Sequence, residues 1–257
     1  MDEANTAAGV LRKRCIVGVI GGDESVQVEA ARQVGEEIAK AGQIILTGGM
    51  PLDSNEVKNA ALWGAHQAER RSTWFTSVRA RMIGILKSEQ VEWNTDHPCR
   101  LFLKTGLTSF ERDAINGLTP DVLVVFQGGR GTLCELAYAA AAGRPIRYYK
   151  SVAQLRRKTE QHLADGMLNR VLEEALGKYP TVMGKTVSSA DLIREIGRAL
   201  DAATPDDLSP AKTVRDAVAE VLRNRVALGQ TGFPGLGGEV QRFETTVKHI
   251  SDCEKNS

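Results

Sequence analysis

DVLVVFQGGRGTLCELAYAAAAGRPIRYY, residues Asp121 to Tyr149, decides the fold. Asp121 to Phe126 is a short apolar run rich in valine. That is the pattern of a strand buried on both faces, as in a parallel sheet. Gly128, Gly129 and Gly131 follow, around Arg130. Thr132, Leu133, Leu136, Ala137, Ala140 and Ala141 then fall at helical spacing. Gly143 is a natural stop for that helix, and Pro145 cannot continue it. Ile146 to Tyr149 reads as the next strand. The unit is strand, glycine-rich turn, helix, strand. In such units the glycines let the backbone approach a phosphate, while the helix N-terminus supplies N–H donors and positive potential.

The chain before this unit repeats the pattern. Cys15 to Ile20 reads as a buried strand followed by Gly21-Gly22, and Val26, Ala30, Ala31, Val34 and Ile38 form a helix stripe ended by Gly42. Gln43 to Thr47 is a second strand, followed by Gly48-Gly49. A further helix is expected from a cap at Asp53 or Ser54 through Val57, Ala60, Ala61 and Ala65. Arg81 to Leu86 and Cys99 to Lys104 read as a third and a fourth strand. Ligands of open α/β sheets bind beyond the carboxyl ends of the strands. The three glycine turns, at 21–22, 48–49 and 128–129, are therefore expected to form one phosphate-binding rim.

The expected architecture is a Rossmann-like, doubly wound α/β domain with a mostly parallel sheet, spanning residues 15–203 after a flexible start at 1–14. Beyond Lys150 the chain is helical and charged, with Leu163, Met167, Val171, Leu172 and Leu176 on its apolar face. Val182 to Val187 reads as an edge strand, and Ser189 caps a helix running to Leu200. Thr204 to Pro210 is a linker. Ala211 to Leu228 is one patterned helix; Val240, Phe243, Val247 and Ile250 mark another. These two are expected to form a C-terminal helical hairpin over 211–253, packed on the sheet domain or on a second subunit.

Composition excludes several classes. The 257 residues are 42% hydrophobic and 25% charged, with a formal net charge of +1. That is ordinary for a soluble domain and argues against a nucleic-acid groove or a basic membrane patch. No apolar run reaches membrane-span length, and the first residues lack a signal-peptide core, so the cytoplasm is the expected location. Four cysteines lie far apart without a C-x-x-C spacing, and four histidines form no H-x-x-x-H pair, so no metal is assigned. Cys134 reads as a small buried filler in the first turn of its helix, and Trp63 and Trp74 as core aromatics.

Gly128 to Glu135 spells G-G-x-G-T-x-x-E. It is neither a Walker A loop nor G-x-G-x-x-G. It closely resembles the signature loop of the superfamily that holds the Lonely Guy (LOG) cytokinin-activating phosphoribohydrolases, formerly called lysine decarboxylases, and the molybdenum cofactor carrier proteins. The resemblance covers roughly Cys15 to Lys150. Its second part is Gly106 to Leu118, where Arg112 matches the arginine of an Arg-Lys pair in LOG proteins. Two departures stand out. Asp113 replaces the lysine, and Met50 to Ala60 replaces a further run of glycines.

Two residues carry competing readings. Thr108 and Glu111 form a capping box that starts a helix, which puts Arg112 near its first turn, where a cation opposes the helix dipole. Arg112 is either a solvated surface arginine or the counter-charge of a bound anion; the resemblance favours the second. Thr132-x-x-Glu135 could likewise be a plain capping box. The resemblance instead implies that Glu135, with Arg112, stabilises an oxocarbenium-like sugar. Such a charge needs a carboxylate beside it.

The expected function is binding of a phosphate-bearing nucleotide or pterin nucleotide, as in the carrier proteins. The lost lysine and glycines place this ahead of the alternative, a nucleoside 5′-monophosphate phosphoribohydrolase with Arg112 and Glu135 catalytic. A nucleotide-sensing module is the third reading. The expected binding residues are Gly21, Gly22, Gly48, Gly49, Arg112, Gly128, Gly129, Arg130, Gly131 and Thr132. The expected ligand is a nucleotide or the molybdenum cofactor, with no other cofactor assigned, and a homo-oligomer, dimer or tetramer, is expected.

Overall fold

In a computed structural model of the chain, which describes residues 14–22, 27–48, 56–71, 82–86, 101–203 and 209–227, the apolar runs pair into one sheet. The expected flexible start, Gly49, Trp74, the linker from 204 to 208 and the second helix of the expected hairpin lie outside those residues. The strands are β1 (Ile16–Ile20), β2 (Ile44–Thr47), β3 (Met82–Leu86), β4 (Leu101–Lys104), β5 (Val122–Val125) and β6 (Ile146–Tyr148). They lie in the order β4-β3-β2-β1-β5-β6, and every neighbouring pair is parallel. The register sets Val17 beside Ile45 on one side and Val122 on the other. Chain order reverses between β1 and β5, so the crevice of this doubly wound sheet opens there.

Helices cover both faces. On one, α1 (Val28–Lys40), α2 (Val57–Arg71) and α8 (Pro210–Ala227) enclose a core holding Val17, Val19, Ile38, Leu62 and Phe126. Gly42, at φ 71, turns the chain after α1 into β2. Where α1 meets α2, a Cβ on Gly35 would sit 1.8 Å from the Ala61 carbonyl oxygen, and one on Gly64 1.8 Å from that of Arg32. Two glycines thus let the helix backbones touch.

On the other face, α3 (Ser109–Leu118), α4 (Arg130–Ala141), α5 (Val152–Ala164), α6 (Met167–Lys178) and α7 (Ser189–Asp201) enclose Ile20, Leu123, Val125, Leu136 and Tyr138. Tyr138 is fully buried and donates its hydroxyl to the Tyr179 carbonyl at 3.1 Å.

Beyond Lys150 the charged stretch is helical, as read, and forms two helices, because Gly166 takes φ 68 between α5 and α6. Two details differ from the sequence reading. The expected edge strand at 182–187 is a separate antiparallel pair, β7 (Thr181–Val182) with β8 (Lys185–Thr186). Met183 and Gly184 both take positive φ at its tip, too tight a turn for the run to extend the main sheet. The cap of α7 is Ser188 rather than Ser189; its hydroxyl accepts from the Asp191 N–H, and Asp191 returns a bond to the Ser188 N–H. Ser188→Ala should therefore cost about 1 kcal/mol, read as a shift in the urea midpoint.

The structure also shows what α8 does. Val214, Ala217, Val218 and Val221 join the α1–α2 core, and the helix lies on α1, β5 and β6. The stripe read from Ala211 onward is thus covered by the chain itself. Glu220 on this helix pairs with Arg147 of β6.

Candidate functional site

Two of the three glycine turns meet at the crevice between β1 and β5. The Gly22 N–H donates to the Gln127 carbonyl at 2.8 Å, and the Val57 N–H donates to the Gly22 carbonyl at 3.3 Å. A Cβ on Gly22 would lie 3.3 Å from the Gly128 Cα, and one on Gly128 would lie 2.1 Å from Thr132 Oγ1. The backbones of the two turns rest on each other here, and a side chain on Gly128 would strike that of Thr132.

Side-chain amides hold this loop from both sides. Gln154 accepts from the Gly128 N–H at 3.3 Å and donates to the Gly128 carbonyl at 3.1 Å. Gln27 accepts from the Gln127 N–H at 2.7 Å and donates to the carbonyls of Tyr149 and Lys150. The N–H groups of Gly22 and Gly128, both expected to face a ligand, are therefore spent inside the protein. The donors left for a phosphate lie one step further on, at the start of α4.

That helix starts at Arg130 with Gly129 as its N-cap, and no side chain caps it. Leu133 makes the first bond back, to the Gly129 carbonyl at 3.1 Å. The N–H groups ahead of it have no acceptor within a helix. The capping box read at Thr132 and Glu135 is not formed. Gly129 lets the helix begin early, so Thr132 falls inside the first turn and Glu135 in its interior. Arg130 is exposed at the rim, while Thr132 is buried.

Beneath the rim lies a buried charged cluster. Glu135 is 0% exposed, and its Oε1 accepts from Asn116 Nδ2 at 2.8 Å and from Lys58 Nζ at 3.3 Å. Arg112 is 7% exposed; Nη1 donates to the Gly48 carbonyl at 2.8 Å, and Nη2 to Asp113 Oδ1 at 2.6 Å. The capping box at Thr108 and Glu111 forms as read, and the adjacent carboxylate of Asp113 explains how a cation is tolerated so early in α3. A Cβ on Gly48 would lie 3.0, 3.1 and 3.2 Å from Lys58 Nζ, Asn116 Nδ2 and Arg112 Nη1. Three nitrogen donors thus converge at the end of β2. Glu135 Oε2, Asn116 Oδ1 and Arg112 Nε are buried and have no hydrogen-bond partner.

Burial pushes the Glu135 carboxyl above its usual range. The Lys58 charge opposes this most, Asp113 adds to the rise, and Arg112 and the Asn116 bond hold it down. A carboxyl whose folded value is raised destabilises the fold as pH rises from its ordinary value through the folded one. Glu135→Gln should therefore flatten stability against pH above the usual carboxylate range, measured by urea unfolding across pH.

The sequence reading misses Lys58, Asn116, Gln27 and Gln154. Only Asn116 leaves a trace, as a poor helix former within a helix. Cys134 is buried, as read, and burial holds its thiol well above its normal value. Trp63 is half-buried, with its ring edge-on to His66 at 5.7 Å between centroids. Among the described residues no group of His, Cys, Asp and Glu could hold a metal ion, and no helix is long and apolar enough to cross a membrane.

A family model described as the SLOG cluster4 family matches residues 14–175. No curated protein matches the chain. Among solved structures it is similar to the molybdenum cofactor binding protein of the phototrophic bacterium Rippkaea orientalis, with 26% identity, a TM-score of 0.46, and coverage of 74% of this chain and 99% of that one. It is also similar to the molybdenum cofactor carrier protein of Chlamydomonas reinhardtii, with 27% identity, a TM-score of 0.45, and coverage of 74% and 99%.

Proposed function

The chain belongs to the SLOG cluster4 family, and from that premise we propose that its glycine rim binds the phosphate of a nucleotide or pterin nucleotide. The observation that carries this reading is the start of α4. An uncapped helix N-terminus opens at the crevice where chain order reverses, beside two glycine turns in backbone contact. N–H groups and dipole together favour an anion there. The phosphate would lie on the N–H groups of residues 129 to 132, with exposed Arg130 as a counter-charge. Gln27 and Gln154 hold the loop in shape before the ligand arrives.

The molybdenum cofactor is one member of this ligand class. The rim would take its phosphate, and the unpaired Glu135 Oε2, Asn116 Oδ1 and Arg112 Nε could meet polar edges of the pterin. Native mass spectrometry of the purified protein tests the reading by the mass of a co-purified ligand. Titration calorimetry with AMP, GMP, CMP and UMP provides the second test. Absence of both a co-purified ligand and any binding overturns the reading.

Hydrolysis of the N-glycosidic bond is the second reading, favoured by the unspent lone pairs of Glu135 Oε2. Glu135→Gln should then keep nucleotide affinity while release of free base, followed by chromatography, stops. A Gln variant with full turnover rules out the catalytic role. No release of base by the unaltered chain leaves the binding and sensing readings.

A homo-oligomer is proposed as well. Edge strand β4 leaves Leu101 and Leu103 42% and 45% exposed, which a second copy would cover. Light scattering that finds a monomer at micromolar concentration overturns it.

A further inference from the structure

Among the described residues, the geometry of the cluster beneath the rim sets two cations against two carboxylates in pairs. Arg112 takes Asp113 at 2.6 Å, and Lys58 takes Glu135 at 3.3 Å. Lys58 comes from α2, on the opposite face of the sheet from α3 and α4. It crosses the carboxyl end of the strands to reach a residue 77 positions away. Its side chain is 9% exposed and that of Glu135 0%. Replacing such a pair by apolar residues is often neutral or stabilising, so stability alone does not account for it.

The distribution of bonds on Glu135 is uneven. Oε1 accepts twice, from Lys58 and Asn116, while Oε2 accepts from neither and has no other partner. We propose that Lys58 and Asn116 are positioning residues for Glu135: by holding Oε1 between them, they fix the carboxyl group beside a positive charge and leave Oε2 for a hydrogen-bond donor of the ligand. This rests on the binding reading above for the ligand, but not for the arrangement itself. Arg112 is paired with Asp113, so the charge bonded to Glu135 comes from Lys58 on another helix.

Among the described residues, the charged or titratable groups around Glu135 all bear on the test: Lys58 from α2, Arg112 and Asp113 from α3, and the neighbouring thiol of Cys134 on α4. Lys58 opposes the effect of burial most strongly. Without it, the carboxyl should gain its proton at higher pH, and a cation restored at the same place should reverse the change.

The experiment follows the Glu135 side-chain carboxyl by carbon-13 NMR across pH, without ligand, in the unaltered chain and in Lys58→Met, Lys58→Arg and Asn116→Leu. Lys58→Met should raise the midpoint by about one pH unit or more, the effect of losing one opposite charge at this distance. Lys58→Arg should restore it, and Asn116→Leu should raise it less. An unchanged midpoint in Lys58→Met overturns the proposal. If Lys58→Met does not fold, the double variant Lys58→Met with Glu135→Gln should fold, because the stranded carboxylate has gone with its partner. A double variant that also fails overturns the proposal. With whichever of AMP, GMP, CMP and UMP binds the unaltered chain, Lys58→Met should lose about tenfold in affinity. Full affinity in Lys58→Met overturns the part assigned to ligand binding. If none of the four binds the unaltered chain, it is the binding reading that is at fault, and the carboxyl titration still decides the arrangement.

Discussion

Gly64→Ala should lower the melting temperature by about 6–12 °C or prevent folding. Gly64 on α2 and Gly35 on α1 face each other's helix so closely that a methyl group would lie 1.8 Å from a carbonyl oxygen. No rotamer relieves that contact, because the atom met is backbone. The helices must separate, and separation opens the core around Val34, Ile38, Ala61 and Leu62. Overpacking costs about 1–3 kcal/mol where side chains can give, and more where they cannot. Each kcal/mol is worth about 2–4 °C in a chain of this size. Gly197→Ala is the matched control. Gly197 lies inside α7 with nothing within 4 Å of its added Cβ. That change should raise stability by about 0.5–1 kcal/mol through helix propensity. Equal melting curves for the two variants, followed by circular dichroism, would show that the close helix crossing does not exist.

The elements that local pattern specifies are legible in the sequence, and those that depend on long-range contact are not. Asp121 to Phe126 and Cys15 to Ile20 read as strands because both faces of a parallel sheet are apolar. Thr108 with Glu111 reads as a capping box because its chemistry spans four residues. The capping box at Thr132 and Glu135 has the same spelling and does not form, because Gly129 starts the helix earlier. Only the backbone path distinguishes the two.

Lys58 shows the same limit at the site. Its position between Val57 and Asn59 says helix, yet its partner is a glutamate on the far side of the strand ends. Asp113 does leave α3 short of a lysine, and a lysine of α2 enters the cluster from the other face instead. Arg112 reads from the sequence as either a surface arginine or the counter-charge of an anion. The structure supplies a carboxylate at the next residue and a carbonyl at the end of β2. Gly128 invites a ligand through its N–H on sequence grounds, but its value lies in the absence of a side chain, since Gln154 takes that N–H.

Arg112→Met should cost about 3–5 kcal/mol, because it strands a buried carboxylate. Asp113 is 2% exposed, and Arg112 Nη2 is its ion-pair partner among the described residues. The same change frees the Gly48 carbonyl and so loosens the end of β2 from α3. A separate effect concerns the ligand. If Arg112 Nε, now unpaired, serves the bound molecule, affinity should fall by about 1.5–3 kcal/mol, the range for a hydrogen bond to a charged group. The two effects can be separated with a second substitution. Arg112→Met combined with Asp113→Asn removes the stranded charge, so stability should largely return while affinity stays low. Urea unfolding reads the first and titration calorimetry the second. Full stability in Arg112→Met alone would mean that the pair with Asp113 does not hold the fold. Full affinity in the double variant would confine Arg112 to structure and leave phosphate binding to the start of α4.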